Sequence, residues 1–314
     1  LAGDAITDAD HNVAVGYSAL STNVLGSKSV AIGTAALNEQ NPASATDMYN
    51  VAIGHDAGNT VTTGIHNTLI GGIAGDALTV GTRNVALGYG ALTTDTQGSG
   101  SIAIGRFALN TQNFSSATTT YNIAIGYDAG KSVTTGTNNT LIGGLAGDAL
   151  TTGSSNVAVG YEALSTEDAH GNNTAVGYRA LKDLDAGATG NNTALGYNSG
   201  ANVTTGQKNV FVGGLAGDAT QDSSDNVAVG YESLSADSGG TSTAVGSYAL
   251  KVNTGYDNTA VGYNAGVNVT SGHNNLLLGH DAGTSNSPSG NLTTHSDIVV
   301  LGDNSITDIY CADT

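Results

Sequence analysis

One nine-residue phrase is written over and over in this chain: NVAVGYSAL from Asn12, SVAIGTAAL from Ser29, NVALGYGAL from Asn84, NVAVGYEAL from Asn156 and NTAVGYRAL from Asn173. A chain built this way is confined to architectures that repeat in space, so the period decides the fold. With the glycine of each box as anchor, the copies fall at Gly16, Gly33, Gly54, Gly71, Gly88, Gly105, Gly126, Gly143, Gly160, Gly177, Gly196, Gly213, Gly230, Gly246, Gly262, Gly279 and Gly302. Ten of the sixteen intervals equal the step from Gly16 to Gly33; two are one shorter, and the four after Gly33, Gly105, Gly177 and Gly279 are longer. The residue before the anchor is Val, Ile or Leu in every copy. The residue four before it is Asn in thirteen copies, Ser in three and Ile298 in the last.

A slower period lies above this one. Four residues after the anchor the sequence reads Leu20, Leu37, Gly58, Gly75, then Leu92, Leu109, Gly130, Gly147, so four coils make a unit. Even the longer turns recur, LNEQNPASATDMYN from Leu37 against LNTQNFSSATTTYN from Leu109. Leu1 opens on LAGDA, the middle of such a unit, which is the expectation for a piece of a longer protein.

The VAVG and AIG boxes set β-branched residues beside Ala, bracketed by Asn and Gly, and read as short strands. A 17-residue period is too short for helix-containing repeats. The fold expected is all-β: a parallel β-roll or β-helix solenoid of about 17 coils, each with two short strands and two turns. At about 4.8 Å per coil the array would be a stiff rod roughly 80 Å long. The aliphatic residue before the anchor and the Val, Ile or Thr three before it share a face, expected to be the inside. The residue between them, Ala in most copies but Leu69, Leu141, Phe211 and Leu277 once per unit, is expected to point outward against a second copy of the chain. Asn is expected to satisfy turn backbone, to tolerate left-handed geometry and to hydrogen-bond from coil to coil. The array is assigned to residues 1–290, and residues 291–314 to a C-terminal transition segment leading to a further domain.

Composition excludes several functions. The net charge of −18, from 26 acids against 8 bases, opposes nucleic acid or an anionic membrane as partner. No apolar run is long enough to insert in a membrane. Cys311 stands alone, which excludes a disulfide framework, and it reads as a small packing residue. With 46 Gly, three Phe and no Trp, the core must be thin.

No catalytic constellation is expected. Glu162 and Glu232 occupy equivalent positions four coils apart, roughly 19 Å on a 4.8 Å stack, whereas paired glycosidase carboxylates lie within about 10 Å. Asp4, Asp76, Asp148 and Asp218, in AGDA, recur once per unit and read as turn caps rather than metal ligands. His55 and His280 each precede Asp but form no two-histidine box, so neither a metal nor a cofactor is expected. The row that suits a ligand is aromatic: Tyr17, Tyr89, Tyr127, Tyr161, Tyr178, Tyr197, Tyr231 and Tyr263 each follow an anchor. Such rows either stack from coil to coil or receive sugar rings. The long turns Asn38–Asn50 and Asn110–Asn122 depart most from the repeat and are the first place to seek specificity.

The tandem N-[SVT]-A-[IV]-G box resembles the head domains of trimeric autotransporter adhesins, and the NTAxGYxAG arrays are similar to those of bacteriophage tail fibres and tailspikes. In the latter an array commonly runs into sequence like IVVLGDNSITDIYCADT, here Ile298 to Thr314, followed by an endosialidase-type intramolecular chaperone. The resemblance implies a homotrimeric, non-enzymatic fibre of a virion, with reach and attachment to a bacterial surface receptor, such as a carbohydrate, as its role. A bacterial surface adhesin and a glycan-cleaving tailspike with an inter-chain site are the alternatives.

Overall fold

The computed structural model describes residues 1–308, and Cys311 lies outside the described residues. Its described part is all-β, a parallel β-solenoid of about 16 turns with a roughly 17-residue period. The chain divides into two compact units, Leu1–Gly171 and Asn172–Thr314. In the first, nine short strands from Val13–Val15 to Val157–Val159 stack parallel, one per coil. In the second, eight do so from Thr174–Val176 to Val299–Leu301. The register is strict: Ala14 pairs with Ala31, Ala31 with Ala52, Ala52 with Leu69 and Leu69 with Ala86. The last strand continues it, with Val300 beside Leu277.

Each coil carries one such strand, not two. The expected second strand is replaced by turns, because left-handed residues interrupt the chain at fixed places: His11, Ser18 and Leu20 lie at φ 60, 57 and 52° in the first coil, and their equivalents recur along the array. Extra two-residue ladders occur where the long intervals after Gly33 and Gly105 insert chain, pairing Gly26–Ser27 with Thr46–Asp47 and Gly98–Ser99 with Thr118–Thr119.

The faces of the strand are the reverse of the expectation. The middle residue points inward: Ala31, Ala52, Ala86, Ala103, Ala124 and Ala158 are wholly buried, as are Leu69, Leu141, Phe211 and Leu277. No residue of the two flanking rows is buried; Ile32 and Ile53 are 37 % exposed and Leu87 is 42 % exposed. The reason is volume. So short a coil encloses room for one small side chain per strand, supplemented by Ala19, Ala36 and Ala57 and by the residues four and seven beyond the anchor.

The same volume argument explains the four-coil unit. A large residue in the strand must be matched by glycine in the turns packed against it. A Cβ on Gly58 would lie 2.6 Å from Leu69 Cδ1, and one on Gly75 would lie 2.8 Å from Leu69 Cδ2. In the coils that neither carry the large residue nor directly precede it, the slot equivalent to Gly58 is filled by a leucine that accepts φ near +50°, such as Leu20, Leu37 or Leu92. Each fully buried leucine contributes about 1.5–3 kcal/mol of transfer free energy, which outweighs the roughly 1–2 kcal/mol of left-handed strain. The slot seven beyond the anchor varies likewise: Val61, Leu78, Val133 and Leu150 are apolar, but Asn23, Gln40, Asp95 and Gln112 are polar and equally buried. The core is therefore partly polar, with Gln112 Nε2 donating to Asp95 Oδ2 at 2.6 Å and Asn122 Nδ2 to Gln112 Oε1 at 2.9 Å.

Two columns tie coil to coil. Asn67 Nδ2 donates to the Gly81 carbonyl at 2.9 Å, and its Oδ1 accepts from the Asn84 N–H at 3.0 Å. The same pair of bonds recurs from Asn84 to Ser101 and from Asn122 to Asn139. These amides chiefly bond backbone, but amide also meets amide, with Asn275 Nδ2 donating to Asn258 Oδ1 at 3.0 Å; the left-handed residue is the one before Asn, such as His66 or Arg83. The anchor glycines sit at φ between 109 and 144° through Gly279, and a Cβ on Gly16 would lie 2.5 Å from the Gly33 carbonyl oxygen. No other residue permits that approach.

Candidate functional site

The eight anchor-following tyrosines are all solvent-exposed, from 40 % at Tyr178 to 75 % at Tyr17. Their rings climb the coils. Tyr178 stacks on Tyr197 with centroids 5.4 Å apart and planes 10° apart, and Tyr263 stacks on His280 at 5.5 Å. Tyr231, Tyr248 and Tyr263 meet edge to face. In the first unit Tyr89 tilts against Phe107, and the Tyr127 hydroxyl accepts from Arg106 at 2.8 Å. The second glycine of each GG pair makes room for this row: Cβ atoms on Gly72, Gly144 and Gly214 would come within 3.3–3.5 Å of Tyr89, Tyr161 and Tyr231. Stacked rings cover one face of each other, so these pairs offer solvent one face, an edge and a hydroxyl.

The AGDA aspartates do more than cap a turn. Oδ1 of Asp76, Asp148 and Asp218 is buried without a hydrogen-bond partner. Burial pushes all three carboxyls up, reinforced at Asp148 by Asp128 and Glu162, which carries that group to about 6. The histidines remain local, with His55 Nδ1 3.0 Å from Asp56 and His280 Nδ1 3.3 Å from Asp303.

The long turns, by contrast, build a cleft. In the first copy Lys28 reaches Asp47 at 2.6 Å and the Tyr49 hydroxyl at 3.1 Å, and Tyr49 lies flat on His66 at 5.5 Å. This arrangement sets an ion pair and a stacked ring pair along the turn. In the second copy the equivalent residues are Gly100, Thr119, Tyr121 and Asn138, so both members of the ion pair are gone. A groove of about 300 Å³ opens there, lined chiefly by Thr82, Arg83, Ser99, Thr118, Thr119 and Tyr121. Tyr121 is 66 % exposed where Tyr49 is 47 %. The signal for this groove is in the sequence, but only as a difference between two copies.

Compared with known proteins, the chain matches no family model and no curated sequence.

Proposed function

We propose that this chain is a structural fibre and attachment protein, a segment of a phage tail fibre that assembles with copies of itself into a homotrimer and contacts a bacterial surface. The observation that carries the reading is the outward aliphatic ladder. In the first unit alone, eighteen strand side chains face outward without being buried, sixteen of them Val, Ile or Leu. A continuous apolar surface of this length marks an interface, and an identical ladder on a second chain is the simplest surface to cover it. Parallel strands are ordinarily covered on both faces, which supports the same reading. The strongly acidic balance, −18 overall, keeps such assemblies soluble and free of nucleic acid. The resemblance of the repeat box to adhesin heads and tail fibres supports a virion surface as the setting, with a bacterial surface as the alternative.

Light scattering tests the assembly. The expected mass is three times the 31.0 kDa of the chain. Ile53→Lys combined with Ile125→Lys, two residues on the exposed face, is expected to release monomer. A monomeric wild-type protein overturns the reading.

A further inference from the structure

The groove at the second long turn has the chemistry of a ligand site, and its counterpart at the first long turn carries an ion pair and a stacked ring pair in the equivalent positions. At the first copy Asp10, Lys28 and Asp47 sum to one negative charge, with the lysine and Asp47 consumed in their own ion pair. At the second copy Thr82, Gly100 and Thr119 replace these three, His11 becomes Arg83, and the local sum is one positive charge. A positive centre in a chain of net −18 stands against the general field. No carboxylate lies within ion-pair distance of Arg83 among the described residues. Beside it stand an exposed aromatic ring and a set of hydroxyls, with the Thr82 N–H held on Ser99 Oγ at 3.0 Å. The volume, about 300 Å³, falls at the lower end of small-molecule sites, about 300–1,000 Å³.

We infer that this groove binds one sugar residue bearing a single carboxylate, a hexuronate within an otherwise neutral polysaccharide. Arg83 presents a planar fork that matches a carboxylate with two parallel hydrogen bonds. The Tyr121 ring, which has Asn138 in the next coil where Tyr49 has His66 to stack on, offers a face to the C–H side of a pyranose. The threonine and serine hydroxyls donate or accept as sugar hydroxyls require. A densely charged polyanion is disfavoured by the chain's own field, so the ligand carries isolated charges. None of the lining residues belongs to the outward aliphatic rows, so the groove and the assembly face are separate sets of side chains. The inference rests on the reading of the chain as an attachment protein and names the chemistry attached to.

The test uses saturation-transfer NMR on the full chain with methyl β-D-glucuronide as probe and methyl β-D-glucoside as the neutral control. Two variants are compared with the wild type. Arg83→Gln removes the cation. Gly100→Lys with Thr119→Asp rebuilds the ion pair of the first copy and plugs the groove. The plug is compatible with the backbone: a Cβ on Gly100 meets only Thr119 Cγ2, at 3.8 Å, and Lys28 occupies the equivalent position at φ 61°. The expected result is saturable binding of the glucuronide, at least about tenfold weaker for the glucoside and for Arg83→Gln, as loss of a charge-assisted bidentate contact requires, and lost in the plugged variant. No saturable glucuronide signal, equal binding of the two glycosides, or unchanged binding in either variant overturns the inference. Light scattering on the same samples keeps the two readings apart. A trimer without sugar binding overturns the groove alone, and a monomer that binds the glucuronide overturns the assembly alone.

Discussion

The matching of one large strand residue to the glycines around it can be measured as a coupling energy. Phe211 is fully buried, and a Cβ placed on Gly217 would lie 2.8 Å from its Cζ and nearer still to two other ring atoms. Phe211→Ala removes the ring and leaves a void, a loss of about 3–5 kcal/mol. Gly217→Ala in the wild-type background drives a methyl into that ring, about 1–3 kcal/mol of overpacking, and places alanine at φ +60°, about 1 kcal/mol more. Independent effects would therefore sum to about 5–9 kcal/mol. In the double variant the ring is absent, the clash vanishes and the methyl enters the void, leaving about 4–6 kcal/mol at most. The expected coupling is about 1–3 kcal/mol in favour of the double variant, outside the roughly 0.5 kcal/mol within which independent sites add. Because solenoid stability is a sum of nearest-neighbour terms, the suitable assay is native-state hydrogen exchange. It is read at the flanking strands Thr193–Leu195 and Val227–Val229, which report local opening free energy. Additivity of the two substitutions would refute the packing account of the four-coil unit.

Three further outcomes are expected. Asn67→Ala removes the amide that serves both the Gly81 carbonyl and the Asn84 N–H, and should destabilise the array by about 2–4 kcal/mol, two buried hydrogen bonds at about 1–2 kcal/mol each; a loss under about 1 kcal/mol in denaturant titration contradicts the ladder's role. Gly71→Ala sets a methyl 2.5 Å from the Gly88 carbonyl oxygen and should break the stacking of those two coils, read as loss of exchange protection in Thr68–Ile70 and Val85–Leu87. The Asp148 carboxyl, raised by burial from 3.8 to about 6, holds its proton more tightly in the folded chain, so its contribution to stability is full below pH 3.8 and is lost as pH rises through about 6. Asp148→Asn should accordingly be more stable than the wild type above pH 6 and lack that segment of the pH profile; melting temperatures that track the wild type across the window would show that the carboxyl is not the source.

Much of this architecture is legible in the sequence because the Asn and Gly columns answer to backbone geometry, which repeats wherever the coil repeats. The polarity of the strand is not legible in the same way. Alternation with period two shows that Val85 and Leu87 share a face and Ala86 takes the other, but not which face is inside. That choice depends on the cross-section of the coil, a quantity set by turns such as Ser18 and Leu20, whose left-handed backbone no propensity announces. The hidden polar core has the same origin: Gln40 and Gln112 are residue types that mostly lie exposed, and only the closure of the coil buries them. The long turns stand out in the sequence by their length, yet the groove emerges only when Gly100 and Thr119 are set against Lys28 and Asp47.

The alternation of bulky and minimal residues along the core also works as a vernier. Sliding one stretch of the array past another by a single coil would bring Leu69 against one turn that carries leucine instead of glycine. Sliding by four coils would restore every match, because the step from Gly16 to Gly88 equals the step from Gly88 to Gly160. Length is thus quantised: insertion or deletion of one whole four-coil unit leaves the interior intact, whereas any smaller change must be repacked. The same degeneracy is a folding hazard, since a four-coil slip forfeits few contacts. The irregular intervals after Gly177, Gly230 and Gly246, one long and two short, break it, marking the later coils as different from the earlier ones and leaving the chain a single alignment with itself.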